Sequence, residues 1–274
     1  MELITSKNNP RVMHASKLLK KKYREEYGEY LVVGRKLTAE ASFCGIYAKT
    51  IFVTKNFLDK NEEFCRDIFE KIGQSAEIIL TDDEILKKIS GDESPDGIVC
   101  IMGCIDKSEK IDKIYNNTLC DGIKGGVIIL DSVRDPGNMG TVIRTAYAFG
   151  TGLIIASPDC ADVYSPKVQR GAMGAAFSQS LITKPTADAV KELRENGFSV
   201  YAAALHHDSL DIRDVKMNEK TAFVIGNEGN GLSEEIIDLC TGSVIIPIQE
   251  HSESLNAAVA SAVIMWEMAK PNNR

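Results

Sequence analysis

The sequence predicts an α/β protein with a parallel sheet in its second half and a smaller α/β domain in its first half. In residues 126–269, short apolar runs alternate with segments of helical periodicity, a pattern typical of βαβ units. Residues 126–130 are apolar without interruption, as in a strand buried on both faces of a parallel sheet.

Strands and helices also alternate in the first hundred residues. The predicted strands there are 30–33, 50–54, 77–80 and 98–102, and the predicted helices are 36–43, 61–72 and a short one from Asp82. Residues 106–124 are polar and without periodicity, which predicts a linker. We therefore expect a domain at 1–105, a linker at 106–124 and a domain at 125–274.

The second domain opens with the strand at 126–130. Its other predicted strands are 153–156, 198–205, 222–225 and 243–248. Its predicted helices are 139–148, 165–175, 186–196, 233–240 and 253–269.

The N-terminal segment is basic although the chain as a whole is acidic. Residues 1–24 hold seven Lys and Arg residues against one acid, Glu2, while the net charge of the chain is −7. One interpretation is a solvated amphipathic helix with Leu18 and Leu19 on its inner face. The other is an arm that faces RNA phosphates through residues such as Lys7 and Arg11. The residues alone leave both interpretations open.

Composition narrows the class of protein. A hydrophobic content of 44% with 26% charged residues excludes disordered and fibrous classes. The apolar stretch 257–266 is too short to span a bilayer, and no secretory signal is visible. Seven scattered cysteines without a Cys-x-x-Cys pair indicate reduced thiols and a cytoplasmic protein. Cys100 and Cys104 lack a matching His or Cys pair, so we expect no metal site.

Three polar segments follow predicted strands of the second domain. They are Asp135-Pro-Gly-Asn138-Met-Gly140-Thr-Val-Ile-Arg144, Gly226-Asn227-Glu228-Gly229-Asn-Gly231, and Ile246-Pro-Ile248 followed by Ser254-Leu255-Asn256. Each offers glycine or proline for close backbone approach beside polar side chains. Ligands of open α/β sheets bind at the carboxyl ends of the strands, so the three segments predict one site.

Each residue also has a structural interpretation when it is taken singly. Asn138 suits the N-cap of a helix, Arg144 a surface ion pair, and Ser254 a helix cap. The glycine-rich segment matches neither the dinucleotide fingerprint nor the phosphate-binding P-loop, and by itself it predicts a tight turn between a strand and a helix.

The order and spacing of the three segments resemble the SpoU (TrmH-like) family of S-adenosylmethionine-dependent RNA ribose 2′-O-methyltransferases, in the SPOUT superfamily. The family pattern of Asn-x-Gly with Arg four residues after the Gly is met by Asn138, Gly140 and Arg144. The resemblance implies a catalytic set of Arg144, Asn138, Glu228, Ser254 and Asn256. It implies an S-adenosylmethionine site formed by Gly226, Asn227, Glu228, Gly229, Gly231, Ile246, Ile248, Leu255 and Asn256.

The resemblance also implies how the chain is organised around RNA. By their spacing, Lys167 and Arg170 lie one helical turn apart and suit either a contact with RNA phosphate or a solvated surface pair. Residues 1–105 match an L30e-like substrate-binding domain loosely, since the family usually has Glu-Gly where this chain has Val33-Gly34. A trefoil knot at the C-terminus and a homodimer with the two sites near its interface are further implications.

We therefore expect methyl transfer from S-adenosylmethionine to a ribose 2′-hydroxyl of structured ribosomal or transfer RNA. The sulfonium is already activated, so the protein must supply alignment and stabilise the developing alkoxide. A guanidinium releases its proton only at very alkaline pH, so we expect Arg144 to act as a clamp and not as the base. The alternatives are a non-catalytic RNA-binding assembly factor with the same fold, which donor binding would discriminate, and an oxidoreductase, for which the fingerprint is missing. The sequence predicts neither the nucleotide modified nor the proton acceptor.

Overall fold

The computed structural model describes residues 1–104, 125–206, 208–227, 229–249 and 254–270. The chain divides into two compact units, one of Met1–Ile105 with Asp162–Phe177 and one of Asp106–Ala161 with Ser178–Arg274. The sequence places residues 162–177 in the second domain, whereas in the structure this segment packs within the first unit. Its Asp162 carboxylate pairs with Arg24 at 2.5 Å, a long-range contact that periodicity does not reveal. The predicted linker at 106–124 lies outside the described residues.

The first unit is built on a mixed sheet. Its strands are β1 (Glu2–Leu3), β2 (Glu29–Val33), β3 (Ala48–Thr54), β4 (Glu77–Thr81) and β5 (Ile98–Gly103), in the order β1-β4-β3-β5-β2. β5 runs antiparallel to both of its neighbours, while β1, β4 and β3 pair in parallel. The four strands predicted in this half are present, and the two-residue β1 was not predicted.

Helices cover both faces of this sheet. They are α1 (Pro10–Lys17), α2 (Lys21–Tyr27), α3 (Arg35–Phe43), α4 (Lys55–Lys60), α5 (Glu62–Lys71) and α6 (Asp83–Ser90). One hydrophobic cluster joins the sheet to α3, α4 and α5, and another joins it to α1 and α6. The local sequence determines both ends of α6. At its start, Asp82 accepts a hydrogen bond from the Ile85 amide, and at its end Gly91 adopts a left-handed backbone conformation.

The basic N-terminal segment is two helices, so the interpretation as one amphipathic helix was wrong. Lys20 has extended backbone angles of φ −102° and ψ 132°, which separates α1 from α2. Leu18 is fully buried at the junction, whereas Leu19 is only partly buried. The chain therefore turns a corner at residues 18–20.

The second unit is built on a seven-stranded sheet whose pairings are all parallel. Its strands are β6 (Val127–Leu130), β7 (Leu153–Ala156), β8 (Leu181–Thr183), β9 (Ser199–Ala203), β10 (Leu210–Asp211), β11 (Thr221–Ile225) and β12 (Gly242–Ile245). The order is β10-β12-β9-β11-β6-β7-β8. The predicted α/β fold with a parallel sheet is confirmed, and the short strands β8 and β10 were not predicted.

The helices after residue 130 are α7 (Pro136–Phe149), α8 (Pro166–Ala172), α9 (Ala175–Ser178), α10 (Thr186–Glu195), α11 (Glu234–Leu239) and α12 (Ala257–Met268). α10 and α11 pack on the sheet face that carries Val127 and Ile129. α7 and α12 pack against each other, and α12 also contacts β11. α12 begins at residue 257, four residues later than predicted. None of the helices within the described ranges is long and apolar enough to cross a membrane.

Candidate active site

Asp135 precedes the first residue of α7 and lies in the short segment that connects β6 to this helix. The Asp135 carboxylate accepts a hydrogen bond of 2.8 Å from the Asn138 amide, and Pro136 occupies the first helical position. Asp135 is therefore the N-cap, and the interpretation of Asn138 as the cap was wrong. The helix cap is therefore supplied by Asp135, and the Asn138 side chain takes part in a tertiary contact instead.

Asn138 and Asn256 meet across 118 residues of sequence. The Asn256 amide nitrogen Nδ2 donates a hydrogen bond of 3.0 Å to Oδ1 of Asn138. Oδ1 of Asn256 accepts from the amides of Ala258 and Val259, so this residue is also the N-cap of α12. The first and third predicted motifs are thus joined by a direct contact between the starts of two packed helices.

A pocket of about 520 Å³ lies beside this contact, between the ends of β9 and β12 and the start of α12. Its lining residues are Ala203, Ala204, Leu205, Val244, Ile245, Ile246, Pro247, Ile248, Gln249, Ser254, Leu255, Ala260 and Ile264. Its volume is within the range of pockets for small-molecule ligands. Leu205 is 89% exposed and Ile248 is 41% exposed, so two apolar side chains border it without being covered.

The structure brings part of the predicted cofactor set into this pocket. Ile246, Ile248 and Leu255 line it, and so does Ser254 of the predicted catalytic set. Asn256 and the glycine-rich segment 226–231 are not among its lining residues. Gly226 follows Ile225 of β11, which is in register with the pocket-lining Ala203 of β9. Glu228 lies outside the described residues.

Hydrogen bonds from the backbone to the Asn227 side chain stabilise the described residues of the glycine-rich segment. The Asn227 side chain accepts hydrogen bonds from the amides of Gly229 and Asn230, at 2.9 and 2.8 Å. A Cβ on Gly226 would lie 2.4 Å from the backbone of Gly231, which is closer than any real contact. Glycine at position 226 is therefore required by the approach of two backbone segments.

Arg144 lies on the exposed side of α7, six residues after Asn138. Six residues span about 9 Å of helix axis between the backbones of the two residues. Among the residues that the structure describes, no acidic side chain forms an ion pair with Arg144. The surface ion pair that we considered for this residue is thus not formed with any of them.

A polar network holds the segment between β6 and α7. Ser132 adopts a φ of +56°, a conformation uncommon outside glycine. Its amide donates to Ser157 Oγ at 2.9 Å, and its hydroxyl donates to Asp159 at 2.7 Å. Arg134 pairs with the same carboxylate at 2.8 Å. Hydrogen bonds from Ser157, Arg134 and Ser132 hold the pKa of Asp159 well below its usual range.

We expect Asp159→Asn to destabilise the second unit by about 1 kcal/mol at neutral pH. Hydrogen bonds to a charged group contribute about 1.5–3 kcal/mol, and the value is smaller here because the Asp159 side chain is 44% exposed. A lowered pKa stabilises the folded state above the unfolded pKa of about 3.9, and this contribution is lost as the pH falls further. The gap in melting temperature between wild type and variant should therefore stay nearly constant from about pH 7 to about pH 5 and shrink as the pH falls below about 4. A gap that fails to shrink at low pH would contradict this.

Most of the side chains in the first unit that were predicted to contact RNA form ion pairs with acidic residues of the same unit. Lys7 pairs with Glu84 at 3.1 Å, and Arg11 pairs with Glu2 and Glu77 at 2.6 and 2.7 Å. Arg170 pairs with Asp92 at 2.8 Å, while Lys167 is exposed.

Sequence reasoning missed several residues that form the pocket. Ala203, Ala204 and Leu205 line it because β9 lies beside β12, and Ala260 and Ile264 of α12 line it as well. The position of a strand within a sheet has no local signal, so these residues could not be found. Asp135 could have been found, because Asp before Pro is typical of an N-cap followed by the first helical position.

Comparison with known proteins finds relatives for both halves of the chain. The model of the SpoU rRNA methylase family matches residues 126–266, and the model of an MRM3-like substrate binding domain matches residues 9–100. The 23S rRNA (guanosine(2553)-2′-O)-methyltransferase RlmP of Bacillus subtilis is 27% identical over 98% of this chain and 99% of its own. The 23S rRNA (uridine(2479)-2′-O)-methyltransferase of Streptomyces viridochromogenes is 27% identical over 97% of this chain and 91% of its own.

Solved structures are similar over the same length. The AdoMet-bound rRNA methyltransferase of Sinorhizobium meliloti superposes with a TM-score of 0.81 at 27% identity, over 97% of both chains. The SpoU methyltransferase AviRb of Streptomyces viridochromogenes, in complex with AdoMet, gives 0.78 at 25% identity over 96% of this chain and 97% of its own.

Proposed function

Since the chain belongs to the SpoU rRNA methylase family, we propose that it transfers a methyl group from S-adenosylmethionine to a ribose 2′-hydroxyl of ribosomal RNA. The observation that carries the proposal is the hydrogen bond between Asn138 and Asn256 beside the pocket of about 520 Å³. It joins the first and third predicted motifs at the place where small-molecule ligands of parallel sheets bind. RNA has the acceptor hydroxyl and DNA lacks it, so DNA of the same sequence is inert.

The pocket fits the methyl donor. Ile246, Ile248 and Leu255 offer apolar side chains and backbone groups to an adenine, and the small side chains of Ala203 and Ala260 leave space. S-adenosylmethionine supplies an activated methyl group on a sulfonium. Because the group is already activated, the chain's own residues must align the acceptor and stabilise its charge.

Arg144 holds the acceptor. Its guanidinium contacts the phosphate beside the target ribose and stabilises the oxygen as its proton leaves. Asn138, Ser254 and Asn256 orient the hydroxyl, and Glu228 with the 226–231 segment lies near the donor. The Asn138–Asn256 hydrogen bond supports this assignment, because it fixes two of the orienting side chains in one place.

Isothermal titration with S-adenosylmethionine discriminates the enzyme from the alternative of an RNA-binding assembly factor. The enzyme binds the donor with a dissociation constant in the micromolar range or tighter, at one site per chain. A folded protein that shows no heat of binding would favour the assembly factor.

A homodimer is the second part of the proposal. α7 and α12 expose Tyr147 (56%), Val259 (49%) and Trp266 (56%). Residues three, four and seven apart share one face of a helix, so Val259 and Trp266 share a face of α12, and Arg144 and Tyr147 share a face of α7. Exposed apolar surface of this kind marks an interaction site. A second copy that covers it would also enclose Arg144, which supports the expectation that the sites lie near the interface.

Trp266→Glu should convert the dimer to a monomer and reduce methyl transfer with it. A charge buried in an apolar interface without a partner is strongly unfavourable, so the dimer should dissociate at micromolar concentration in analytical ultracentrifugation. Phe43→Glu is the matched control, because Phe43 is 91% exposed on the first unit and lies outside the proposed interface. A Trp266→Glu protein that stays dimeric would refute this interface.

Finer features of the fold complete the proposal. We infer a trefoil knot at the C-terminus, for which the support is that β12 lies between β9 and β10 while α12 returns to pack on α7. We infer an L30e-like fold for residues 1–105, supported by the match of residues 9–100 to a substrate-binding domain. A cytoplasmic site of action suits an enzyme whose substrate is ribosomal RNA.

A further inference from the structure

The corner between α1 and α2 carries a group of lysines that acids do not neutralise. Lys17, Lys20 and Lys22 are exposed, and within the described part of the chain none of them forms an ion pair. This contrasts with Lys7 and Arg11, which pair with acids at 2.6–3.1 Å. Lys21 has Glu25 at 3.8 Å, a weak exposed pair. The positive charge of the basic segment is therefore concentrated at this corner.

An aromatic ring orders two of these lysines. The ammonium groups of Lys17 and Lys22 lie 5.5 and 5.8 Å from the centroid of the Tyr23 ring. Tyr23 stacks on Tyr27 at 6.0 Å with 17° between the ring planes, and Tyr27 contacts the His14 ring at 4.8 Å. A cation held over a ring loses less conformational freedom when it binds a ligand than a freely rotating lysine does.

A buried arginine fixes the backbone of the same corner. Arg24 is only 4% exposed, its NH1 group donates to the Leu18 carbonyl at 2.6 Å, and its Nε donates to Asp162 at 2.7 Å. The Leu18 carbonyl lies between α1 and α2, so this contact sets the angle at which the chain turns. The lysines thus project from a rigid turn and not from a mobile terminus.

Taken together, these contacts favour a polyanion as the partner. Three unneutralised ammonium groups, two of them held over one ring, match the repeated charges of a nucleic-acid backbone. We propose that the α1–α2 corner, defined as Lys17, Lys20 and Lys22 with Tyr23, is a phosphate-contacting surface for the RNA substrate. Tyr23 is a positioning residue there, because its ring contacts the two ammonium groups and the Tyr27 ring and so holds the lysines in place. The inference rests on the proposed function and assigns the RNA contact to residues other than Lys7 and Arg11.

Binding of an in vitro transcribed 23S rRNA at several salt concentrations tests the surface. The triple variant Lys17→Gln, Lys20→Gln, Lys22→Gln should bind on the order of 50- to 100-fold more weakly at about 0.15 M salt. It should also reduce the slope of log affinity against log salt by about 2 to 3, since each phosphate contact contributes about 0.7–0.9. Tyr23→Phe keeps the ring and should bind as wild type does. Tyr23→Leu should weaken binding by a smaller factor than the triple variant.

A second triple variant provides the matched control. Lys36→Gln, Lys55→Gln and Lys71→Gln change the net charge of the same unit equally, and all three lysines are exposed. The control should leave the slope within about 1 of wild type. An equal effect of both triples, or an unchanged slope in the α1–α2 triple, would overturn the assignment.

Two further measurements separate this inference from the proposed function. Wild-type protein is assayed for S-adenosylmethionine binding and for methyl transfer to the same transcript. If both are absent, the proposed function fails. If both are present while the α1–α2 triple binds RNA as wild type does, only the assignment of the surface fails.

Discussion

Replacement of Arg144 by lysine should lower the rate of methyl transfer by about 100- to 1000-fold, the size of effect that loss of a charge-stabilising donor has in other enzymes. Lysine keeps the positive charge but loses the planar fork that contacts phosphate at two points. Arg144 is not among the residues that line the pocket proposed for the donor, so the affinity for S-adenosylmethionine should not change. Single-turnover assays combined with donor titration measure the two effects separately.

Arg66→Lys, an exposed arginine of the first unit, is the control for the loss of one guanidinium and should have wild-type turnover. Turnover at the wild-type rate in Arg144→Lys would remove this residue from the mechanism. An equal loss of donor affinity would place Arg144 in the cofactor site instead.

Gly226→Ala should reduce the affinity for S-adenosylmethionine by about 10- to 100-fold. The new methyl group would lie 2.4 Å from the carbonyl of Gly231, so the turn must open. Forced repacking of this kind costs about 1–3 kcal/mol, and each 1.4 kcal/mol is tenfold in affinity. Gly226 does not line the pocket, but it follows Ile225, which is in register with the pocket-lining Ala203. We therefore expect the opening of the turn to disturb the proposed donor site. Isothermal titration gives the affinity, and thermal melting checks that the protein is folded.

The same turn supplies a matched control. A Cβ on Gly229 would meet only the Asn227 side chain, at an ordinary 3.5 Å. Gly229→Ala should therefore bind the donor as wild type does. If both variants bind normally, the glycine-rich segment has no part in donor binding.

Much of the fold could be predicted because its signals are local. The apolar run at 126–130 and the helical periodicity of 186–196 each lie within one element, and both elements formed within one or two residues of the predicted bounds. The start of α12 was placed four residues early, because Ser254 and Asn256 both suit a cap and only Asn256 forms its hydrogen bonds. Capping side chains thus narrow the start of a helix to a few residues but do not determine which residue it is.

The remaining features depend on contacts between distant parts of the chain. Arg24 draws residues 162–177 to the first unit through Asp162, and Glu77 and Glu84 engage Arg11 and Lys7. None of these pairs has a local pattern that could reveal it. The candidate site was predictable in part, because a family resemblance identified Asn138 and Asn256. Two features of the site could not be predicted from the sequence: the contact between Asn138 and Asn256, and the part of the pocket wall that β9 forms. Both depend on the order of the strands in the sheet.

The most direct test of the account is the position of the transferred methyl group. Purified wild-type protein is incubated with methyl-labelled S-adenosylmethionine and an unmodified 23S rRNA transcript, and the RNA is digested to nucleosides. We predict that the label appears in a single 2′-O-methylated nucleoside, that it is absent with DNA of the same sequence, and that Arg144→Lys incorporates it about 100- to 1000-fold more slowly. Label on a base, or no transfer by a protein that binds both donor and RNA, would contradict the account.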